Sequence, residues 1–395
     1  MKIKQFLGLF LSMFLFLIAC KNKSQREGSN AIKNQDVESV FAALPAHASA
    51  PSTNPYTEEK AELGRLLFYD PILSGNKDVA CASCHHPDFG YAESLEISIG
   101  VNRHGLGSKR VFNYPNDIPL VKRNSQTILN TAFNGIDETL NYDPDNAPMF
   151  WDLRAKSLEN QSLEPIKTLE EMRGRKFQEH EILTVITERL RQNKTYEHLF
   201  QKLFGGNNAV TKENIAKALA TFERKLITPD SRFDQFMKGD KTAMSENELE
   251  GMKAFLKSGC AKCHRGAMFT DFKTHNLGVI DHDGLGFLDD GFQGKSEFRT
   301  PSLRNLRFTS PYMHNGKLKT LDNVLEFYED LSGNKIQNTR ISADKIDPLI
   351  KENLKVEFKD IRLIVEFLHT LNDDNFDKTI PKTVPSGLKV GGEIY

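Results

Sequence analysis

Two five-residue segments constrain this chain more than anything else in it: Cys81-Ala82-Ser83-Cys84-His85 and Cys260-Ala261-Lys262-Cys263-His264. In a Cys-x-x-Cys-His segment both thiols can add across the vinyl groups of a haem while the following imidazole turns to the iron as an axial ligand. Composition alone would yield about 0.002 such segments per chain. Two CxxC pairs can also build a tetrahedral zinc site. The trailing histidine on both, their separation of about 180 residues and an extracytoplasmic compartment favour two covalently bound haem c groups over zinc or a redox dithiol.

The chain has five cysteines, and the fifth sits at the end of a different signal. Met1-Lys2-Ile3-Lys4 is a basic start, and Phe6 to Ala19 is an apolar run of 14 residues, shorter than the ~20 that a spanning helix needs. Residues 1–19 read as an export signal. The run closes in Leu17-Ile18-Ala19-Cys20, which resembles the lipobox of bacterial lipoproteins, where cleavage precedes a cysteine that receives diacylglycerol. More than one acyl chain gives lasting attachment, so Cys20 is expected to be lipidated, holding the protein to a bacterial membrane on its periplasmic side. Residues 20–54, polar and then Ala/Pro/Ser-rich, are expected to be a flexible linker.

At 395 residues, 39% apolar and 27% charged, the mature chain can bury a real core, and two domains is the natural division. A formal charge of -1 gives no reason to expect a nucleic-acid partner. After Pro55 the apolar residues recur at helical spacing: Leu63, Leu66 and Leu67; Ile215, Leu219, Phe222 and Leu226; Leu249, Met252, Phe255 and Leu256; Ile361, Ile364, Phe367, Leu368 and Leu371. Ser245 to Glu248 forms a capping box, and Gly259 ends that helix just before the second motif. Alternating β-runs are missing, so the fold class is all-α. Long Gly/Asn/Pro-rich stretches at 98–124 and 272–298 are expected to surround something functional.

Further segments carry a family resemblance. Leu63-Gly64-Arg65-Leu66-Leu67-Phe68-Tyr69-Asp70-Pro71 precedes the first motif, and Lys122-Arg123-Asn124-Ser125 and Phe150-Trp151-Asp152-Leu153-Arg154-Ala155 follow it. Phe298-Arg299-Thr300-Pro301-Ser302-Leu303-Arg304-Asn305 and Pro311-Tyr312-Met313-His314-Asn315-Gly316 follow the second. In this order they resemble the bacterial dihaem cytochrome c peroxidases and their MauG-like relatives. The resemblance implies two cytochrome c-like haem domains with long irregular loops: a peroxide-reacting domain over 55–228 and an electron-transfer domain over 229–372, with a tail at 373–395. It also places the catalytic acid on Glu171, beside Glu170, and a distal glutamine on Gln161. Trp151, the only tryptophan, falls at the aromatic bridge between the haems. His104 falls near a histidine that in some members caps the first iron at rest. For the sixth ligand of the second haem, where electron-accepting members carry Met, the register reads Tyr328; Met268 and Met313 are the fallbacks. A calcium ion between the domains would be held at Asn124, Thr309 and Pro311. Without the resemblance, Glu171 would read as a surface carboxylate and Trp151 as core. Tyr328 would complete an apolar stripe with Leu321, Val324 and Leu325.

The implied activity is reduction of hydrogen peroxide with electrons from a periplasmic cytochrome or copper protein. A phenolate at Tyr328 would lower the second potential and keep open a MauG-like enzyme that uses peroxide to oxidise a protein or small molecule. A non-enzymatic dihaem electron carrier is the third reading. A homodimer is compatible with all three.

Overall fold

Short helices, most of them opened by a side-chain cap, carry the framework of the molecule. In the computed structural model, which describes residue 37 and residues 39–394, Ala42 onward forms one compact unit. The expected export signal and Cys20 lie outside the described residues. From Ala42 onward the chain is mostly helical, with ten α-helices and three ribbons of paired two-residue strands. Among the described residues no helix is long and apolar enough to cross a membrane.

Helix α1 (Glu58–Tyr69) starts where the Thr57 side chain accepts from Lys60 N. It turns Leu63, Leu67 and Phe68 into a core shared with α5 (Lys212–Lys225), which contributes Ile215, Leu219 and Phe222. The two axes approach closely at Gly64, where a Cβ would stand 2.0 Å from the Ala218 carbonyl oxygen. Between them run α2 (Leu158–Lys167), α3 (Glu179–Gln192) and α4 (Lys194–Phe204). After α6 (Arg232–Met237) the pattern repeats. Helix α7 (Glu246–Lys257) opens with the Ser245–Glu248 capping box and is stopped by Gly259 at φ +83°, a left-handed turn that favours glycine. It packs on α10 (Ile361–His369), and Gly251 meets the Leu363 carbonyl as Gly64 meets Ala218, with a Cβ again 2.0 Å from the oxygen. Helices α8 (Leu321–Ser332) and α9 (Pro348–Asn353) complete this half.

The ribbons lie in the long loops. Strands β1 (Arg103–His104) and β2 (Val111–Phe112) pair within 98–124, β3 (Pro148–Met149) pairs with β4 (Ala155–Lys156), and β5 (Thr274–His275) pairs with β6 (Phe298–Arg299).

Part of the expected linker and the tail are both held down. Residues 42–54, part of the expected linker, pack on the body: Leu44 is buried and its N–H donates to Asp234 Oδ1 (2.9 Å), and Asn54 donates to Glu159 Oε1 (2.8 Å). Their polar composition hides the buried partners that fix them. The tail beyond 372 returns to the first half, where Asp377 pairs with Arg65 (2.7 Å), Ser386 Oγ donates to Asp70 (2.6 Å) and Ser83 Oγ donates to the Gly391 carbonyl (2.6 Å).

Candidate active site

Each CxxCH motif is a single 3₁₀ turn after a helix, at the edge of its own cavity. The first cavity, about 510 Å³, is lined by Cys81, Cys84, His85, Trp151, Gln161, Glu171 and Glu223. The second, about 220 Å³, is lined by Cys260, Cys263, His264, Met268, Met313, Tyr328 and again Trp151. The four motif thiols are unpaired, and burial pushes those of Cys84 and Cys260 up to about 12.

The two motif histidines are prepared in the same way. His85 Nδ1 lies 3.0 Å from the Tyr91 carbonyl oxygen and His264 Nδ1 lies 2.9 Å from that of Phe269. A carbonyl can only accept, so each ring carries its proton on Nδ1 and keeps an Nε2 lone pair. Burial lowers both pKa values and holds the rings neutral. This anchoring of one nitrogen is what orients an imidazole for a metal. Two thiols and one oriented imidazole per cavity fit a covalent haem. They fit a shared zinc poorly, because each CxxC pair opens on a different cavity.

Glu171 reaches the first cavity through unusual backbone. Pro165 lies inside α2 near its end, and after Thr168 the chain makes one π-helical turn, Leu169–Arg173, a form concentrated at functional sites. The turn is seated by Gly75 N–H, which donates to the Met172 carbonyl (2.8 Å), and by Gly174 N–H on Leu169 (2.9 Å). Burial, opposed by Arg154 and reinforced by Glu170, raises the Glu171 pKa to about 7. Gln161 comes from α2, one turn before Pro165.

Trp151 is buried in the wall common to both cavities. Its Nε1 donates to the Asn124 carbonyl (3.2 Å) and its ring stands edge-on to His314, centroids 6.4 Å apart. His314 stacks flat on Phe298 at 3.6 Å. The Asn124 amide donates to the Leu95 carbonyl (2.6 Å), and Asn124, Thr309 and Pro311 line the second cavity together.

The sixth-ligand candidates separate by environment. Met268 belongs to an apolar cluster with Leu44, Phe133 and Ile136, and it adjoins Phe269, whose carbonyl anchors His264. Tyr328 projects from α8, its phenol pKa raised by burial. Met313 sits on the loop following Tyr312.

The structure places His104 away from the first cavity. It is exposed on β1, hydrogen-bonded to Asn113 Oδ1 (2.6 Å), and does not line the first cavity. Strand alternation turns Arg103 inward and His104 outward.

The sequence reading missed Glu223. It is 5% exposed, its Oε2 has no hydrogen-bond partner, and burial raises its pKa to about 8. The signal was present: Glu223 falls four residues after Leu219 on the inward stripe of α5.

Residues 58–242 match a family model described as di-haem cytochrome c peroxidase. The chain is 31% identical over 358 residues to the methylamine utilization protein MauG of Methylorubrum extorquens, covering 88% of each. It is 31% identical over 359 residues to the cytochrome c551 peroxidase of Nitrosomonas europaea, covering 88% of this chain and 90% of that one. The solved structure of a MauG-like protein associated with microbial copper homeostasis aligns at TM-score 0.65 and 27% identity, over 84% of this chain and 95% of that one.

Proposed function

Because this chain belongs to the di-haem cytochrome c peroxidase and MauG family, we propose that it reduces hydrogen peroxide to water with two electrons from a c-type cytochrome or similar periplasmic donor. It is an oxidoreductase, and the net reaction takes one peroxide, two protons and two electrons to two waters. The observation that carries the proposal is Glu171 lining the His85 cavity with a pKa near 7.

Haem held through Cys81, Cys84 and His85 would supply an open metal face for peroxide, and haem held through Cys260, Cys263 and His264 would supply electrons. Within that frame Glu171 moves the proton. As a carboxylate it accepts a proton from one peroxide oxygen, and as an acid it returns that proton to the other, which a pKa near ambient pH allows. The Gln161 amide offers a donor and an acceptor in the same cavity, suited to orient a small peroxide. Trp151, in the wall shared by both cavities, supports a route for electrons between them.

Tyr328 favours a second reading. A phenol oxygen on the wall of the His264 cavity suits a site of low potential, as a MauG-like enzyme oxidising a protein or small molecule would use. A stopped-flow peroxide titration separates the two. Fast oxidation of added ferrocytochrome supports peroxidase turnover. A persistent two-electron-oxidised spectrum with slow ferrocytochrome turnover supports the second reading, and inertness to peroxide sinks both.

The repeated arrangement of helix, motif, ribbon and glycine-contacted closing helix supports two cytochrome c-like domains dividing near residue 228. Oxygen atoms of Asn124, Thr309 and Pro311 on one cavity wall are of the kind that suits calcium. The segment ending in Cys20 supports a lipid-anchored periplasmic location.

A further inference from the structure

We propose that two buried charge clusters of opposite net sign, one at the second cysteine of each motif, set the reduction potentials of the two haem sites apart, raising the first and lowering the second. This rests on the two-haem reading above.

At Cys84 the cluster is Glu93 with Arg103 and Arg110. The β1–β2 ribbon carries Arg103 on β1, and Arg110 immediately precedes β2. Arg110 Nη1 pairs with Glu93 Oε1 and lies 3.6 Å from Cys84 Sγ. Ser98 Oγ contacts both Glu93 and Cys84 Sγ, the latter at 3.4 Å. Arg103 Nη1 is 3.9 Å from the same Glu93 oxygen. All three charged residues are 2% exposed. Two guanidinium groups against one carboxylate leave a net charge of about +1, since arginine does not deprotonate in proteins. Nε and Nη1 of Arg103 and Nε and Nη2 of Arg110 have no hydrogen-bond partner among the described residues, so Glu93 is the only protein carboxylate the structure pairs with this cluster.

At Cys263 the cluster is His275 between two aspartates. His275 Nδ1 lies 2.7 Å from Asp347 Oδ2, and Nε2 lies 3.1 Å from Asp271 Oδ2 and 3.6 Å from Cys263 Sγ. Carboxylates only accept, so both ring nitrogens carry protons and the ring is a cation. Two carboxylates around it leave about −1, and a neutral ring would make the cluster more negative still. Ligand atoms of Cys263, Asp271 and His275 lie within 4.8 Å of one another, close enough for a metal ion while the thiol is free. A thioether at Cys263 takes away the thiolate and leaves the charge.

Reduction adds an electron to the site, so buried positive charge favours the reduced form and buried negative charge the oxidised form. At an effective dielectric near 20, a unit charge about 10 Å away shifts the reduced-to-oxidised ratio roughly tenfold. The second cluster acts in the same sense as a Tyr328 phenolate. Together the clusters bias electron passage from the second site toward the first.

The test is spectroelectrochemistry of the holoenzyme, resolving the two couples by their absorption. Glu93→Gln should raise the first couple and Arg103→Gln should lower it, each roughly tenfold in ratio or ~59 mV. Arg103→Lys, which keeps the charge, should leave it in place. Asp347→Asn should raise the second couple alone. Opposite signs from two substitutions on one cluster distinguish charge from loosened packing. Same-direction shifts from Glu93→Gln and Arg103→Gln, or no shift from either, overturn the inference while two haems per chain remain. A pyridine haemochrome count below two overturns the two-haem reading as well.

Discussion

Gly100 presses so closely on Glu170 that a Cβ added to the glycine would stand 1.6 Å from the Glu170 carbonyl oxygen, and 2.5 Å from that of Glu171. The loop over the first cavity and the π-turn that carries the acid are therefore fitted to each other through a missing side chain. Gly100→Ala should displace the turn, at a cost of roughly 1–3 kcal/mol of the overpacking kind. Peroxide turnover should fall at least about tenfold, with both haems still bound by haemochrome assay. Full turnover in this variant would mean that the π-turn does not position the acid.

Glu171→Gln keeps the shape and removes the titrating group. Peroxide turnover should fall by about 10²–10⁴-fold, the usual worth of general acid–base assistance. In the unsubstituted protein kcat/KM for peroxide should rise with pH through about 7, because the carboxylate must accept the first proton. The glutamine variant should lose that inflection, as a pH series of initial rates would record.

Glu223 predicts a stability slope. Burial raises its pKa from the usual 4.5 to about 8, so between these values the folded protein holds a proton that the unfolded chain releases. Stability from this group is complete at low pH and is lost as pH rises from about 4.5 through about 8. Urea midpoints taken at the two ends of that window should fall with pH, and Glu223→Gln should flatten the fall. An unchanged slope would mean that Glu223 is ionised in the fold.

Tyr328→Phe tests the second site directly. Loss of the phenol oxygen should alter the absorption of the second haem and raise its potential, since an anionic oxygen donor favours the oxidised metal. An unaltered spectrum would exclude Tyr328 as the ligand and leave Met268 and Met313.

Local pattern reveals the attachment chemistry and most of the helices. The CxxCH turns, the Gly259 stop, the Ser245 cap and the stripes of α1, α5, α7 and α10 are all short-range signals. The site around them is not short-range. Gln161 from a helix, Glu171 from a π-turn, and Trp151 from between two small strands meet only in space, and no periodicity announces a π-turn. Resemblance brought these residues forward, and the cavity gathers them. The outward position of His104 follows from the alternation of a two-residue strand, which cannot be read inside a glycine-rich loop. Glu223 was readable as one charge on an apolar stripe, and it was passed over because a carboxylate near a helix end ordinarily faces water.

The contacts of the tail also bear on assembly. Ser83, in the middle of the first motif, donates to the carbonyl of Gly391, a residue 308 positions later. Asp70 and Arg65, on the approach to that motif, wait on Ser386 and Asp377. The first attachment point is thus locked by a stretch about 300 positions further along the chain. A protein shortened before Asp377 would leave the first motif's surroundings ajar however complete their own helices were, so residues 65–83 and 377–391 settle into place as one object.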